Sequence, residues 1–295
     1  ELPDQRTLAL EDPRRFLARF PGPVILDEVQ RAPELFSYLQ VLADEGAEPG
    51  RYILTGSQNF LLLERISQSL AGRCAVLHLL PFSLAELRGG APLALEALGR
   101  GIPPAAPPGT LEETLFRGFY PPIHDRGLPP GEWLGNYTLT YLERDVRNLL
   151  KVGDLETFGR FLRLCAGRSG QLLNLSALAS DAGISHTTAR RWLSVLEASF
   201  LVALLRPHSR NFRKHLVRSP KLYFLDTGLL CWLLGIREAG DLGHHAMRGA
   251  IFESLVQAEI RKNFLHRGEQ AGLFFWRDSA GHEVDFVVET PKGPV

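Results

Sequence analysis

The sequence predicts an α/β protein, and three stretches near its amino end carry that reading. Val24-Ile25-Leu26 is an apolar run framed by Pro21-Gly22-Pro23 and ended by Asp27-Glu28. That is the pattern of a buried parallel strand whose last residues emerge at the carboxyl edge of a sheet. Arg51-Tyr52-Ile53-Leu54-Thr55-Gly56-Ser57-Gln58 is a second strand of the same character. Between them Leu35, Leu39, Leu42 and Ala43 fall at i, i+4, i+7 and i+8, which predicts a helix over 34–45 that closes before Gly46. Two parallel strands joined by one helix set Asp27-Glu28 beside Thr55-Gly56-Ser57, at the edge where open α/β sheets bind ligands.

An apolar strand that ends in Asp-Glu suits nucleotide hydrolysis. Asp27 can hold Mg2+ directly or through water, Glu28 can polarise the attacking water, and Ser57 or Thr55 can sense the γ-phosphate or orient that water. The alternative is a strand that ends in two solvated acids.

Composition narrows the class. With 295 residues, 45% hydrophobic and 22% charged, the chain is globular and long enough for two or three domains. Its formal net charge is zero, which excludes a global field drawing it to nucleic acid or membrane, so any such binding is local. Cys74, Cys165 and Cys231 lie far apart in apolar contexts without a Cys-x-x-Cys spacing and read as buried thiols of a reducing cytoplasm. The longest apolar stretches are broken by charge well before the ~18 residues of a membrane helix, so no membrane partner is expected.

The other elements follow in order. Residues 7–20 read as a helix with Asp12-Pro13 as a start signal inside it and Phe16, Leu17 and Phe20 on one face. Residues 59–70 are helical, and Cys74 to Leu80 reads as a third central strand with His78 as a sheet residue. Arg73, at the mouth of that strand, is either a charge-stabilising finger or sensor, or a surface arginine that caps a helix end. The Gly- and Pro-rich stretch 88–110 reads as a loop or linker. A turn at Gly118-Phe119-Tyr120-Pro121 precedes a long helix over 133–150 with Leu139, Leu142, Val146 and Leu149 as its buried stripe. On that helix Glu143 and Arg147 are spaced to pair.

The next segment has helix-turn-helix spacing. Phe158, Phe161, Leu162 and Cys165 share a helix face, a short helix over 176–182 closes at Gly183, and Ser185 caps a third helix through Ala198. In that third helix Ala189, Trp192, Leu193 and Leu196 face inward, while His186, Thr187, Arg190 and Arg191 face out. Residues 202–205 and 221–225 supply the two strands of a wing. Between them lie Arg206, His208, Arg210, Arg213, Lys214, His215 and Arg218, the basic cluster of the chain. DNA contact through His186, Thr187, Arg190, Arg191, Arg210, Arg213 and Lys214 is one reading. A structural lid or protein-binding module is the other.

Several of these stretches together resemble a family. Val24-Ile25-Leu26-Asp27-Glu28-Val29-Gln30-Arg31, Leu54-Thr55-Gly56-Ser57-Gln58, Leu70-Ala71-Gly72-Arg73 and Leu80-Pro81-Phe82-Ser83-Leu84-Ala85-Glu86-Leu87 look like prokaryotic AAA-like P-loop ATPases. In that family a carboxyl-terminal domain of unknown function follows the ATPase core. Tyr141 to Val146, Pro220 to Leu229 and Phe275-Trp276-Arg277-Asp278 resemble that second half. The resemblance implies ATP and Mg2+ as cofactors, Asp27 and Glu28 as the Walker B pair, Thr55 or Ser57 in the sensor position, a functional Arg73, and a protein partner or self-association. The family's G-x-x-x-x-G-K-[ST] loop does not occur in these residues, so the expectation is a piece of a longer ATPase, open at both ends.

The last stretch resembles the PD-(D/E)xK nuclease-like fold. A helix with Phe252, Leu255, Val256 and Ile260 at helical spacing carries Glu253, and a hairpin then leads to Asp285. In that fold an acid and a following Glu-x-Lys hold Mg2+ beside the scissile phosphate, which makes Glu253 and Asp285 the expected metal ligands. The alternatives are a surface glutamate and a hairpin aspartate. The expected layout is thus a partial P-loop AAA-like parallel-sheet core over 1–110 and a helical connector over 111–155. A winged helix over 156–225 and an incomplete nuclease-like α/β region over 226–295 complete it.

Overall fold

The computed structural model describes residues 2–46, 48–56, 69–90, 109–141, 155–208, 219–278, 280–290 and 293–295. The fold is mixed α/β with small sheets, in two compact units, Glu1–Val76 and Leu77–Val295. The expected connector, winged-helix and nuclease-like segments all lie in the second unit.

In the first unit, α1 (Pro3–Glu11) and α2 (Pro13–Ala18) replace the single helix expected over 7–20. The start signal inside it dominates: Asp12 accepts the Arg15 N–H and Pro13 takes the first helical position. Strand β1 (Val24–Leu26) pairs in parallel with β2 (Tyr52–Leu54), joined by α3 (Leu35–Asp44), as the apolar spacing predicts. Leu26, Phe16, Leu17, Phe36 and Leu39 form the core on one face. The expectation of strands buried on both faces holds on that face alone, because the register partners Ile25 and Ile53 are 64% and 54% exposed.

The third central strand does not form. Residues 75–80 make no ladder, and Leu79 is 89% exposed. An apolar run becomes a strand only when a partner edge accepts its N–H and C=O groups. Residues 77–80 already belong to the second unit, within which Leu80 packs with Ala203, Leu225 and Ala258 and the His78 ring lies 5.1 Å from that of Phe200. Cys74, expected buried, is exposed, whereas Cys165 and Cys231 are buried.

The second unit begins with α4 (Leu84–Leu87), α5 (Leu111–Arg117) and α6 (Pro121–Asp125). Ser83 with Glu86, and Thr110 with Glu113, make reciprocal capping boxes that start the first two of these short helices. Helix α7 (Pro130–Tyr141) buries Leu134, Thr138 and Tyr141, and Leu139, expected in the stripe, is exposed. The phase is set by aromatic packing, with Trp133 stacked on Tyr137 at 5.1 Å and Tyr120 against both rings. Leu142, Glu143, Val146, Arg147 and Leu149 lie outside the described residues.

Helices α8 (Leu155–Ala166), α9 (Leu175–Ala182) and α10 (His186–Ala198) form as read. Strand β3 (Val202–Leu205) pairs antiparallel with β4 (Lys221–Phe224). Helix α11 (Thr227–Leu233) and a short 3-10 turn (Ala239–His244) lead to α12 (Arg248–Leu265). Strands β5 (Leu273–Arg277), β6 (Glu283–Thr290) and β7 (Gly293–Pro294) close the chain as an antiparallel sheet. The ladder runs on past β3, since Arg206 accepts the Phe275 N–H and His208 donates to the Phe275 carbonyl at 2.6 Å. On its other side β4 is bonded to residues 170–173. The strands expected as a wing are therefore internal, and every residue of β4 is buried.

Candidate functional site

Backbone pairing carries the first site beyond the ends of its strands. Thr55 N–H donates to the Leu26 carbonyl at 3.0 Å and Val29 N–H to the Thr55 carbonyl at 3.1 Å. The ladder thus fixes Asp27 opposite Thr55, and the Thr55 hydroxyl donates to Asp27 Oδ1. Glu28 follows in the left-handed region at φ 53°, a conformation that strains a residue with a Cβ. Its Oε2 accepts from Gln30 Nε2 at 2.6 Å and lies 3.9 Å from Arg31 Nε. The strain turns the Glu28 carboxylate toward its own 3-10 turn (Val29–Arg31), while Asp27 stays exposed at the sheet edge.

Arg73 is elsewhere. Its Nε and Nη2 hold Asp44, at the last residue of α3, at 2.6 and 3.1 Å. A helix that connects parallel strands runs against them, so its last residue lies at the edge opposite Asp27. Asp44 is depressed below the usual carboxylate range by the Arg73 hydrogen bond. Ser57 lies outside the described residues.

The segment expected as a helix-turn-helix is held by caps and one aromatic cluster. Gly183 closes α9 at φ 70°, and the Ser185 hydroxyl accepts the Thr188 N–H at 3.1 Å to start α10. Trp192 packs edge-on against Phe158 at 5.0 Å and Phe161 at 5.4 Å. Burial of each such ring stabilises by roughly 1.5–3 kcal/mol, which fixes the rotation of α10. His186, Thr187, Arg190 and Arg191 are exposed on it, as expected. Arg210, Arg213 and Lys214 lie outside the described residues. His208, the last described residue before them, is paired with Glu289 at 3.2 Å.

The structure also brings Glu253 and Asp285 together, through residues of the strand expected in the wing. Lys221 on β4 donates to Asp285 Oδ1 at 3.0 Å and pairs with Glu283, while Tyr223, two residues on, donates to Glu253 Oε2 at 3.1 Å. Period-two alternation puts Lys221 and Tyr223 on one face of β4, and Glu283 and Asp285 on one face of β6. That spacing was the signal available in the sequence. Burial, with the Asp285 charge, raises Glu253 above the usual range, against the pull of Lys221 and Tyr223. Burial opposes the Lys221 ammonium, yet Glu283 and Asp285 outweigh it and hold its pKa above the ordinary lysine value.

Three family models match parts of this chain. Residues 1–88 match an AAA domain, residues 109–240 a domain of unknown function (DUF8612), and residues 248–295 a second domain of unknown function (DUF4143). The chain therefore joins an AAA-like amino-terminal region to carboxyl-terminal regions of unknown function. An uncharacterized protein of Mycobacterium bovis is 32% identical over 285 residues, which are 97% of this chain and 60% of that protein. An uncharacterized protein of Mycobacterium tuberculosis gives the same values. The chain thus spans 60% of the length of these curated relatives. No solved structure matches it. Among the described residues, no helix is long and apolar enough to cross a membrane.

Proposed function

We propose that this chain is part of an ATP-binding, ATP-hydrolysing AAA-like protein, and that the carboxyl edge of β1 and β2 is its hydrolytic edge. The observation that supports the reading is the Thr55 hydroxyl on Asp27 at the ends of two parallel strands. The residues suit Mg2+: Asp27 is exposed and both side chains offer the oxygen ligands that this ion prefers. Asp27 would hold Mg2+, which when bound neutralises charge on the phosphates. Thr55 orients the Asp27 carboxylate. Glu28 would position water once its carboxylate leaves Gln30. Ser57 keeps the sensor role, and Arg73 would need release from Asp44 to serve as a finger.

The test is turnover by a polypeptide of the length that the relatives have. Its upstream reading frame should encode G-x-x-x-x-G-K-[ST]. Asp27→Asn should abolish Mg2+-dependent turnover, and unchanged turnover would remove this edge from the chemistry.

A second reading, DNA contact by α10, is favoured by the exposed Arg190 and Arg191 on a capped helix after a tight glycine turn. If it fails, the same segment serves as a lid or protein-binding module.

A further inference from the structure

The carboxylates Glu253 and Asp285, with Glu283 beside them, are the group that the nuclease resemblance would give to a divalent cation. Their surroundings do not suit one. Glu283 Oε1 meets Lys221 and Oε2 meets Arg277 Nη1 at 3.1 Å; Asp285 Oδ1 meets Lys221 at 3.0 Å; Glu253 Oε2 meets the Tyr223 hydroxyl. Three carboxylates thus face two fixed cations. Among the described residues no group of three or more His, Cys, Asp or Glu is placed to hold a metal.

Lys221 cannot easily step aside. The residue is 3% exposed, and its Nζ lies 5.6 Å from the Phe275 ring centroid, on the strand that residues 170–173 and β3 enclose. Withdrawing the ammonium would leave either a buried cation without partners or a broken β4. Mg2+ in turn gives up its hydration reluctantly and demands near-octahedral oxygens. A tethered ammonium already in contact also competes at a high effective concentration.

We propose that Lys221 is a built-in counter-cation, seated where a divalent ion would otherwise bind. The centre is thereby closed to Mg2+ and Mn2+ and acts as an ionic clamp between β4 and β6. The proposal does not rest on the nucleotide reading of the Asp27 edge, and an Asp27→Asn background keeps the two apart experimentally.

The first test uses that protein with the native lysine. The chain has five lysines, and their acetylation by a water-soluble amine reagent is followed by mass spectrometry with and without millimolar Mg2+ or Mn2+. Lys221 should stay unmodified in both conditions. A cation-dependent rise in its modification would overturn the proposal, since it would mean that the ion displaces the ammonium.

The second test compares Mn2+ affinity in the same background with and without Lys221→Met. The methionine variant should bind Mn2+ at least roughly tenfold more tightly, and Asp285→Asn added to it should cancel the gain. Equal affinity of the two proteins would overturn the proposal. Should Lys221→Met not fold without metal, the clamp predicts that Mn2+ restores its folding, and failure to do so would count against it.

Discussion

The Asp226 carboxylate accepts the Phe119 N–H at 2.7 Å through Oδ2 and the Leu229 N–H at 2.8 Å through Oδ1, across 107 residues of chain in the first case. Around it Lys262 donates to the Phe82 carbonyl at 2.7 Å and lies 4.3 Å from the Phe119 ring centroid, and Glu259 accepts the Leu84 N–H at 2.9 Å. One buried polar group thus ties residues 82–84, the turn after α5, the start of α11 and α12. Every tie removed leaves a buried partner unmade.

Asp226→Asn should therefore destabilise the second unit by about 2–4 kcal/mol, because an amide NH2 must face one of the two backbone donors and Lys262 loses a nearby negative charge. Urea unfolding monitored by tryptophan fluorescence reads this directly. A loss under about 1 kcal/mol would mean that the group is not a structural tie.

Gly118→Ala should act through the same place from the other side. Gly118 sits at φ 64°, and a Cβ there would lie 2.5 Å from Asp226 Oδ1 and 2.7 Å from the Gly228 nitrogen. Backbone strain and a clash with a fixed carboxylate should together cost about 3 kcal/mol or more. An alanine variant as stable as the parent in thermal melting would contradict the close approach.

Glu28 tests whether strain accompanies function at the sheet edge. Its φ of 53° disfavours any side chain, so Glu28→Gly should stabilise the first unit by about 1 kcal/mol. In a full-length protein the same change should slow ATP turnover by roughly 10² or more, and Glu28→Gln should do so while nucleotide binding persists. A glycine variant that loses stability would show that the Gln30 and Arg31 contacts outweigh the backbone term.

For α10, duplex affinity should fall with salt at a log-log slope of about −0.9 per phosphate neutralised, and Arg190→Ala with Arg191→Ala should reduce that slope by roughly one or two units. Fluorescence anisotropy over a salt series decides it. Binding that ignores salt, or no binding to any duplex, would return the helix to a lid or protein-binding role.

Much of this was legible because local signals were strong. The strands and helix of the β1-α3-β2 unit, the Asp12-Pro13 start, the Phe158 to Cys165 face and the Ser185 cap each rest on spacing or capping carried by a short stretch of neighbouring residues. What escaped depended on partners far away in sequence. Residues 75–80 look like a strand but lack a ladder partner, and Leu139 and Phe252 have helical spacing but lie outside the buried faces. On α12 the buried positions include Ser254, bonded to Ser169 at 3.0 Å, and Lys262, polar residues that periodicity assigns to solvent. Lys221 escaped for the same reason, since a lysine inside a buried strand makes sense only once Glu283 and Asp285 are seen beside it.

Glu253 gives the last prediction. Its folded pKa lies above its unfolded value, through burial first and the Asp285 charge second. The folded state therefore holds the proton more tightly than the unfolded chain. Stability from this group is full below the unfolded glutamate value of about 4.3 and is lost as pH rises through the folded value. In its ionised form the carboxylate is a liability that the Tyr223 hydrogen bond and Lys221 only partly offset. Glu253→Gln keeps an acceptor for the Tyr223 hydroxyl, so at pH 7 it should match or exceed the parent, within about 1 kcal/mol, and its stability should vary less between pH 4 and 7. Glu253→Leu strands that hydroxyl and should lose about 1–3 kcal/mol. Denaturant midpoints across this pH range decide between the two behaviours. A glutamine variant that loses more than about 2 kcal/mol at pH 7 would mean that the Glu253 charge is required by Lys221, and that the clamp holds three carboxylates instead of two.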